Sequence, residues 1–235
     1  MIVLYKICFN KNRCNRDISI KKRPFFEDYN SLIKKCLCSL VRQLTSQDEI
    51  RFFLDGDDPD NLIKDICEQY SVNYTIFKFN HQSAPKMHAQ CSMHLLNELN
   101  ECEDLDHIFI CEDDYLFYDN ALEKIKDFLA MYPKFFCHPI DYPNLYTKQK
   151  YPSDIIITNT HHWRSIKTTT YTFAFTYLKF KQHTSLFCNS NEELFWRHLC
   201  NLMYVESKCF SPIPSLCAHI ENNCLPPFFD KKSLC

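Results

Sequence analysis

The chain has 235 residues, 46% of them hydrophobic and 24% charged, which suits one sizeable core and is too short for two comfortable domains. Lys and Arg number 27 against 29 Asp and Glu, a formal net charge of -2, so the basic excess of a non-specific nucleic-acid binder is missing. There is 1 glycine, Gly56, where average usage of about 7% gives roughly 16, and that scarcity excludes a P-loop, a G-x-G-x-x-G dinucleotide fingerprint and a kinase Gly-rich loop.

In chain order, residues 2–9 (IVLYKICF) form an apolar, β-prone run and predict a buried strand. A polar loop with Arg13 and the short basic cluster Lys21-Lys22-Arg23 leads to Pro24. Leu32, Ile33, Cys36, Leu37, Leu40, Val41 and Leu44 recur at helical spacing and predict an amphipathic helix over 28–45. Ile50 to Leu54 predicts a second strand, halted by Asp55-Gly56-Asp57-Asp58-Pro59, and Leu62, Ile63, Ile66 and Tyr70 place a helix after that proline. Tyr74 to Phe79 alternates as a third strand. Residues 83–99 predict a helix with Ser83 as N-cap and Pro85 in its first turn. A fourth strand, Ile108 to Cys111, runs into Glu112-Asp113-Asp114, and Asp119 is expected to cap a helix carrying Leu122, Ile125, Phe128 and Leu129.

Strand and helix thus alternate through the first half, which predicts an α/β fold whose parallel sheet is covered on both faces. Ligands of such sheets bind outside the carboxyl ends of the strands, so the acidic turns at 55–58 and 112–114 are expected to share one rim. The second half is less regular. It predicts a short strand near 135–140, a Pro- and Tyr-rich loop at 141–152, strands near 154–159 and 168–177, and a helix over 191–204. From Ser211 onward the tail is expected to be largely irregular.

The 15 cysteines are odd in number, and Cys8, Cys36, Cys38, Cys67 and Cys111 sit in apolar runs, so reduced thiols of a cytoplasmic protein are expected rather than a disulfide framework. No C-x-x-C pair argues for a closed zinc site. Neither a signal peptide nor a membrane span is expected.

Adjacent carboxylates at the end of a buried strand repel each other and are costly to desolvate. A solvated turn capping the next helix is one reading. The other is a hard divalent cation, Mg2+ or Mn2+, which takes oxygen ligands and bridges a diphosphate where no glycine loop exists to hold it.

The strand ending in Glu112-Asp113-Asp114 resembles the D-x-D motif of GT-A fold glycosyltransferases, most closely the compact family-2-like enzymes of bacteria and large DNA viruses. The resemblance continues through His162-Trp163-Arg164, Thr168 to Phe173, and Ser211-Pro212-Ile213-Pro214-Ser215-Leu216 followed by His219. It implies a three-layer α/β/α sandwich with a mostly parallel sheet, residues 1–118 forming the nucleotide-binding half and 119–235 the acceptor half and tail. The implied activity is metal-assisted, inverting transfer of a sugar from a UDP-linked donor to an acceptor hydroxyl, in the host cytoplasm if the source is viral.

Residue by residue, the resemblance assigns Asp55 to the nucleotide base, Asp113 to the ribose, and Asp114 and His219 to the metal, with Glu112 as a further ligand. Arg13, Arg23 and Lys86 are candidates for base or diphosphate contact. Glu193, in Glu192-Glu193-Leu194-Phe195-Trp196-Arg197, matches the catalytic base position with Glu for the usual Asp, and Asp141 is the rival base. His162, Trp163 and Tyr146 are expected to form an acceptor platform. Two other readings stand beside this one. Phe52 to Asp57 has the strand and paired aspartates of a HAD-like phosphatase with Asp55 as nucleophile, and the chain is alternatively an inactive transferase-fold binding module.

Overall fold

A computed structural model describes residues 1–9, 25–26, 28–79, 84–98, 102–147, 152–167, 169–189, 191, 194, 198–199, 201–202, 208–221 and 223–229. The strands are β1 (Ile2–Cys8), β2 (Glu49–Asp55), β3 (Tyr74–Phe79), β4 (His107–Glu112), β5 (Tyr115–Phe117), β6 (Phe136–Cys137), β7 (Ile155–Ile157), β8 (His162–Ile166), β9 (Phe173–Thr176), β10 (Cys209–Ile213) and β11 (Cys217–His219). The helices are α1 (Tyr29–Val41), α2 (Leu62–Gln69), α3 (Ala84–Glu98), α4 (Ala121–Met131), α5 (Asn144–Thr147), α6 (Tyr177–Gln182) and α7 (Thr184–Phe187).

A nine-stranded sheet runs β3-β2-β1-β4-β9-β6-β10-β8-β7, and β11 pairs with β5 in a separate two-stranded ribbon. The first four strands of that order are parallel to one another. Strand β9 is antiparallel to both β4 and β6, β10 is parallel to β6, and β8 and β7 follow antiparallel. Strand β1 is apolar on both faces because both are covered. Val3, Tyr5 and Ile7 pack with α1, α2 and α4 residues such as Leu37, Ile63 and Ile125, whereas Leu4 packs with Met87 of α3, Phe180 of α6 and Phe187 of α7. Two helical layers therefore enclose the sheet. Among the described residues no helix is long and apolar enough to cross a membrane.

The predicted helices and the four parallel strands of the first half form close to their expected bounds. Elsewhere the structure corrects the reading. Asp119 does not cap α4, whose N-cap is Asn120 in the left-handed region; Asp119 instead meets the Arg42 guanidinium at 2.7 Å. The strand expected near 135–140 is ordered as a ladder only at Phe136–Cys137. The tail is not irregular: Cys209–Ile213 enters the main sheet and Cys217–His219 forms half of the ribbon. The helix expected over 191–204 falls mostly outside the described residues, as do the basic cluster and Ser83.

Register sets the site. Cys8 lies opposite Asp55 at the ends of β1 and β2, and Lys6 lies opposite Glu112 at the end of β4, so both acidic turns leave the same edge of the sheet. The other edge is pinned by Asp48. Its carboxylate receives the Met1 amine at 3.0 Å, Lys126 Nζ at 2.7 Å, and both the N–H and hydroxyl of Thr45 at 2.8 Å. Burial alone would raise its pKa, but these donors override it and hold the carboxyl down at about 2. A depressed carboxylate contributes stability above its unfolded pKa and loses it as pH falls toward the folded one. Asp48→Asn should therefore cost about 2 kcal/mol at neutral pH. In urea melts this difference from wild type should shrink as pH falls from the unfolded carboxylate value toward 2.

Candidate functional site

At the carboxyl-end rim, Cys8 sits between two buried acids. Its backbone N–H donates to Asp113 Oδ2 at 2.9 Å, and its thiol donates to Asp55 Oδ2 at 3.7 Å. Asp55 is 1% exposed and Asp113 7%. Asp113 also accepts the Tyr29 hydroxyl on Oδ1 at 2.8 Å. Tyr29 is the first residue of α1, a helix started by the Asp28 carboxylate accepting the Ser31 N–H at 2.8 Å. The β1 terminus and the α1 start therefore fix Asp113 together.

Asp114 is met by the other end of the chain. In the β5–β11 ribbon His219 lies opposite Tyr115, and the Ile220 N–H donates to the Asp114 carbonyl at 2.9 Å, which carries the pairing back to the acidic turn. His219 Nε2 lies 3.2 Å from Asp114 Oδ2 and 3.4 Å from Glu221 Oε2. Its ring stacks on Tyr115 with centroids 4.6 Å apart. On the other side Nδ1 is 2.8 Å from the Tyr142 hydroxyl, which is 2.9 Å from Tyr115 Oη; that oxygen is in turn 2.7 Å from Thr170 Oγ1. Burial alone would lower the His219 pKa, yet the Asp114 carboxylate, by charge and hydrogen bond, and the Cys224 thiol hold it up at about 10.

These residues fit a divalent cation. A carboxylate and a ring nitrogen 3.2 Å apart, both nearly buried, present the oxygen and nitrogen donors that such an ion takes. The Tyr142 contact on the opposite nitrogen orients the imidazole in the manner of a metal-ligating histidine.

The remaining predicted residues divide. Glu112 ends β4 opposite Lys6, its N–H donating to Thr172 Oγ1 at 3.1 Å. Strand alternation from Ile108 and Ile110 puts it on the α3 side of the sheet. Among the described residues a set of three donors that could hold a metal ion is His219, Glu221 and Cys224, and neither Glu112 nor Asp114 is part of it. Asp141 is enclosed. Arg164 Nη2 donates to its Oδ1 and the Tyr146 hydroxyl to its Oδ2, while the guanidinium lies over the Tyr146 ring at 4.1 Å. Burial raises the Asp141 pKa although Tyr146 and Arg164 pull against it. Both oxygens are thus committed to holding the 141–147 segment, a poor arrangement for a proton acceptor.

Trp163 is 0% exposed, packs on Phe128 at 4.4 Å and donates its indole N–H to Thr158 Oγ1 at 3.0 Å. It is core, and its expected place in an acceptor platform is corrected. His162 is exposed at the rim end of β8, and Tyr146 is 54% exposed. Arg13, Arg23 and Glu193 lie outside the described residues, as does the side chain of Lys86 in α3. Asp57, which a phosphatase reading needs beside Asp55, has a 96% exposed side chain paired to Lys78 at the surface. The surface clefts of about 720 and 330 Å³ lie between helices and are lined by none of the rim acids.

Sequence reasoning missed Cys8, Tyr29, Tyr142, Glu221 and Cys224. The spacing His219-x-Glu221-x-x-Cys224 was a usable signal for the last two, because mixed N, O and S donors within one turn can converge without a C-x-x-C pair.

No family model matches the chain, and no curated protein matches it in sequence. Solved structures do match in fold. Over 90% of this chain it superposes on the crystal structure of S. aureus TarS 1–349 with a TM-score of 0.53 at 12% identity. The match to the same protein in complex with UDP-GlcNAc has a TM-score of 0.51 at 12% identity, and that to its complex with UDP has a TM-score of 0.50 at 11% identity, each again over 90% of this chain. The chain spans between 58 and 60% of the length of those TarS chains. Its fold is therefore mixed α/β with a large, mostly parallel central sheet, as the sequence predicts, and it is similar to that of TarS.

Asp113 accepts two donors, the Cys8 N–H and the Tyr29 hydroxyl. Asp113→Ala should cost about 2–3 kcal/mol in chemical denaturation by removing the acceptor of both the Cys8 N–H and the Tyr29 hydroxyl, and Tyr29→Phe about 1 kcal/mol. Equal losses for the two variants would show that the acid is not the shared anchor.

Proposed function

We propose that the chain is a metal-dependent glycosyltransferase of the GT-A type, moving a hexosyl group from a UDP-linked donor to an acceptor hydroxyl with inversion. The observation that carries this reading is the meeting of Asp114 with His219 at the carboxyl rim of a TarS-like sheet, beside two further buried acids. TarS has been crystallised with UDP and with UDP-GlcNAc, which supports a uridine-diphosphate donor here.

Each rim residue has a task suited to its surroundings. Asp55 would accept an N–H of the uracil base. Asp113, fixed by the Cys8 N–H and the Tyr29 hydroxyl, would accept a ribose hydroxyl. Asp114 and His219 would hold a divalent ion such as Mn2+ or Mg2+. When bound, that ion supplies Lewis-acid stabilisation of the charge developing on the departing diphosphate. Tyr142 keeps the His219 ring in one orientation, and Tyr115 supports it from beneath. The acceptor hydroxyl must lose a proton to a carboxylate on the opposite face of the sugar. We assign that step to Glu193, because Asp141 is occupied by Arg164 and Tyr146. His162, exposed at the same rim, would line the acceptor side.

Calorimetry of UDP with and without Mn2+ tests the donor site: wild type should bind UDP only with the ion, and Asp114→Asn should lose that dependence together with most of the affinity. A panel of nucleotide sugars should show metal-dependent donor hydrolysis. The reading falls if no nucleotide sugar binds while a generic phosphatase substrate is turned over in an Asp55-dependent manner. For the base, Glu193→Gln should lower transfer by about 100-fold or more while leaving UDP affinity unchanged. Retained transfer in that variant would remove Glu193 from the mechanism.

A further inference from the structure

Two side chains beyond Asp114 converge on His219. The turn after β11 closes on itself: the Glu221 N–H donates to the His219 carbonyl at 2.8 Å and the Cys224 N–H to the Glu221 carbonyl at 3.1 Å. Asn223, at φ 68°, takes the left-handed conformation that turns the chain directly before Cys224. As a result a ring nitrogen of His219, a carboxylate oxygen of Glu221 and Sγ of Cys224 lie within 4.8 Å of one another. Glu221 Oε2 is 3.4 Å from Nε2, the same nitrogen that faces Asp114 Oδ2 at 3.2 Å.

One ring nitrogen carries at most one N–H, and two carboxylate oxygens lie within 3.4 Å of Nε2. Like charges gathered this closely repel each other. A cation with several coordination positions can take a ring nitrogen, a carboxylate oxygen and a sulfur together. The Glu221 side chain is 23% exposed and Cys224 is half-buried, so the donors are reachable from solvent. The chemistry of the set is selective. Imidazole nitrogen, carboxylate oxygen and thiolate sulfur are together the donors of zinc, whereas Mg2+ and Mn2+ are suited to carboxylate, carbonyl and water oxygens.

We propose that Glu221 and Cys224 complete with His219 an N/O/S ligand set that takes a zinc-class ion in preference to Mg2+ or Mn2+, with Cys224 as the discriminating ligand. This rests on the reading of Asp114 and His219 as metal ligands and changes which ion they hold. It also makes the short tail after β11 part of the metal centre.

Co2+ is the probe, because thiolate ligation gives cobalt a near-ultraviolet charge-transfer band that oxygen and nitrogen ligands do not. The metal-free full chain should develop that band on Co2+ titration and lose it when Zn2+ is added. Cys224→Ser should abolish the band and weaken competitive Zn2+ binding by about 10-fold at the least, since loss of even an outer partner costs a site that much. Glu221→Gln should keep the band and lower Zn2+ affinity, and melting temperatures equal to wild type would show both variants folded. Should Cys224→Ser melt early, Glu221→Gln carries the Zn2+ comparison alone. The proposal is overturned if wild type gives no band, if the band persists in Cys224→Ser through other thiols, or if Zn2+ binds no more tightly than Mn2+. Failure of the donor reading looks different: the band and the Zn2+ preference would stand while no divalent ion promoted UDP binding.

Discussion

Three carboxylates, Asp55, Asp113 and Asp114, are held at 1, 7 and 5% exposure along one rim, and their repulsion and desolvation are the constraint that the surrounding structure answers. Each acid is answered differently. Asp55 receives a thiol, Asp113 an amide N–H and a phenol, and Asp114 an imidazole. The donors come from the end of β1, the start of α1 and the end of β11, so compensating the charge also ties these segments to β4. On the proposed reading, stability and chemistry coincide at this rim. A side chain that neutralises an acid here is also one that shapes what the acid can bind.

On the proposed reading, glycine scarcity leaves phosphate binding to carboxylates and the ion they would hold. Phosphate cradles splay consecutive amide N–H groups around turns that glycine makes at no steric cost. Here the 1 glycine, Gly56, takes φ 107° just past Asp55. Elsewhere the left-handed positions fall to Asp60, Asn61, Ser71, Asn120 and Asn223, and even to Phe25 and Phe228. Asn and Asp tolerate that region through local hydrogen bonds, while other side chains bear a cost of roughly 1–2 kcal/mol.

The first half of the fold was legible because each strand is a short apolar run and each helix keeps its stripe. Leu32, Ile33, Cys36, Leu37 and Leu40 announce α1, and all are buried. The second half hid its strands. Strand β10 contains Pro212, which reads as irregular, but β10 pairs with β6 only through Cys209 and Phe210, so the proline lies beyond that ladder. Strand β11 is three residues long and finds its partner in β5, which a local pattern cannot show. The site divides the same way. Acids at strand ends stand out in sequence because they break an apolar run. Tyr29, Tyr142 and Cys224 do not, because their roles come from tertiary placement. Trp163 illustrates the converse error, an aromatic next to a histidine whose ring belongs to the core beside Phe128.

The contact between Asp114 and His219 spans 105 residues of chain. Closing so long a loop costs little more than closing one half its length, since the entropy grows only with the logarithm of the number of residues. Timing is affected far more than energy. During synthesis the acidic turn leaves the ribosome long before its imidazole partner, and the parallel strands can pair while Asp114 still faces water. In the folded chain the counter-charge reaches Asp114 through the three residues of β11 paired with β5. The pairing of β11 with β5 is thus what brings the imidazole to Asp114.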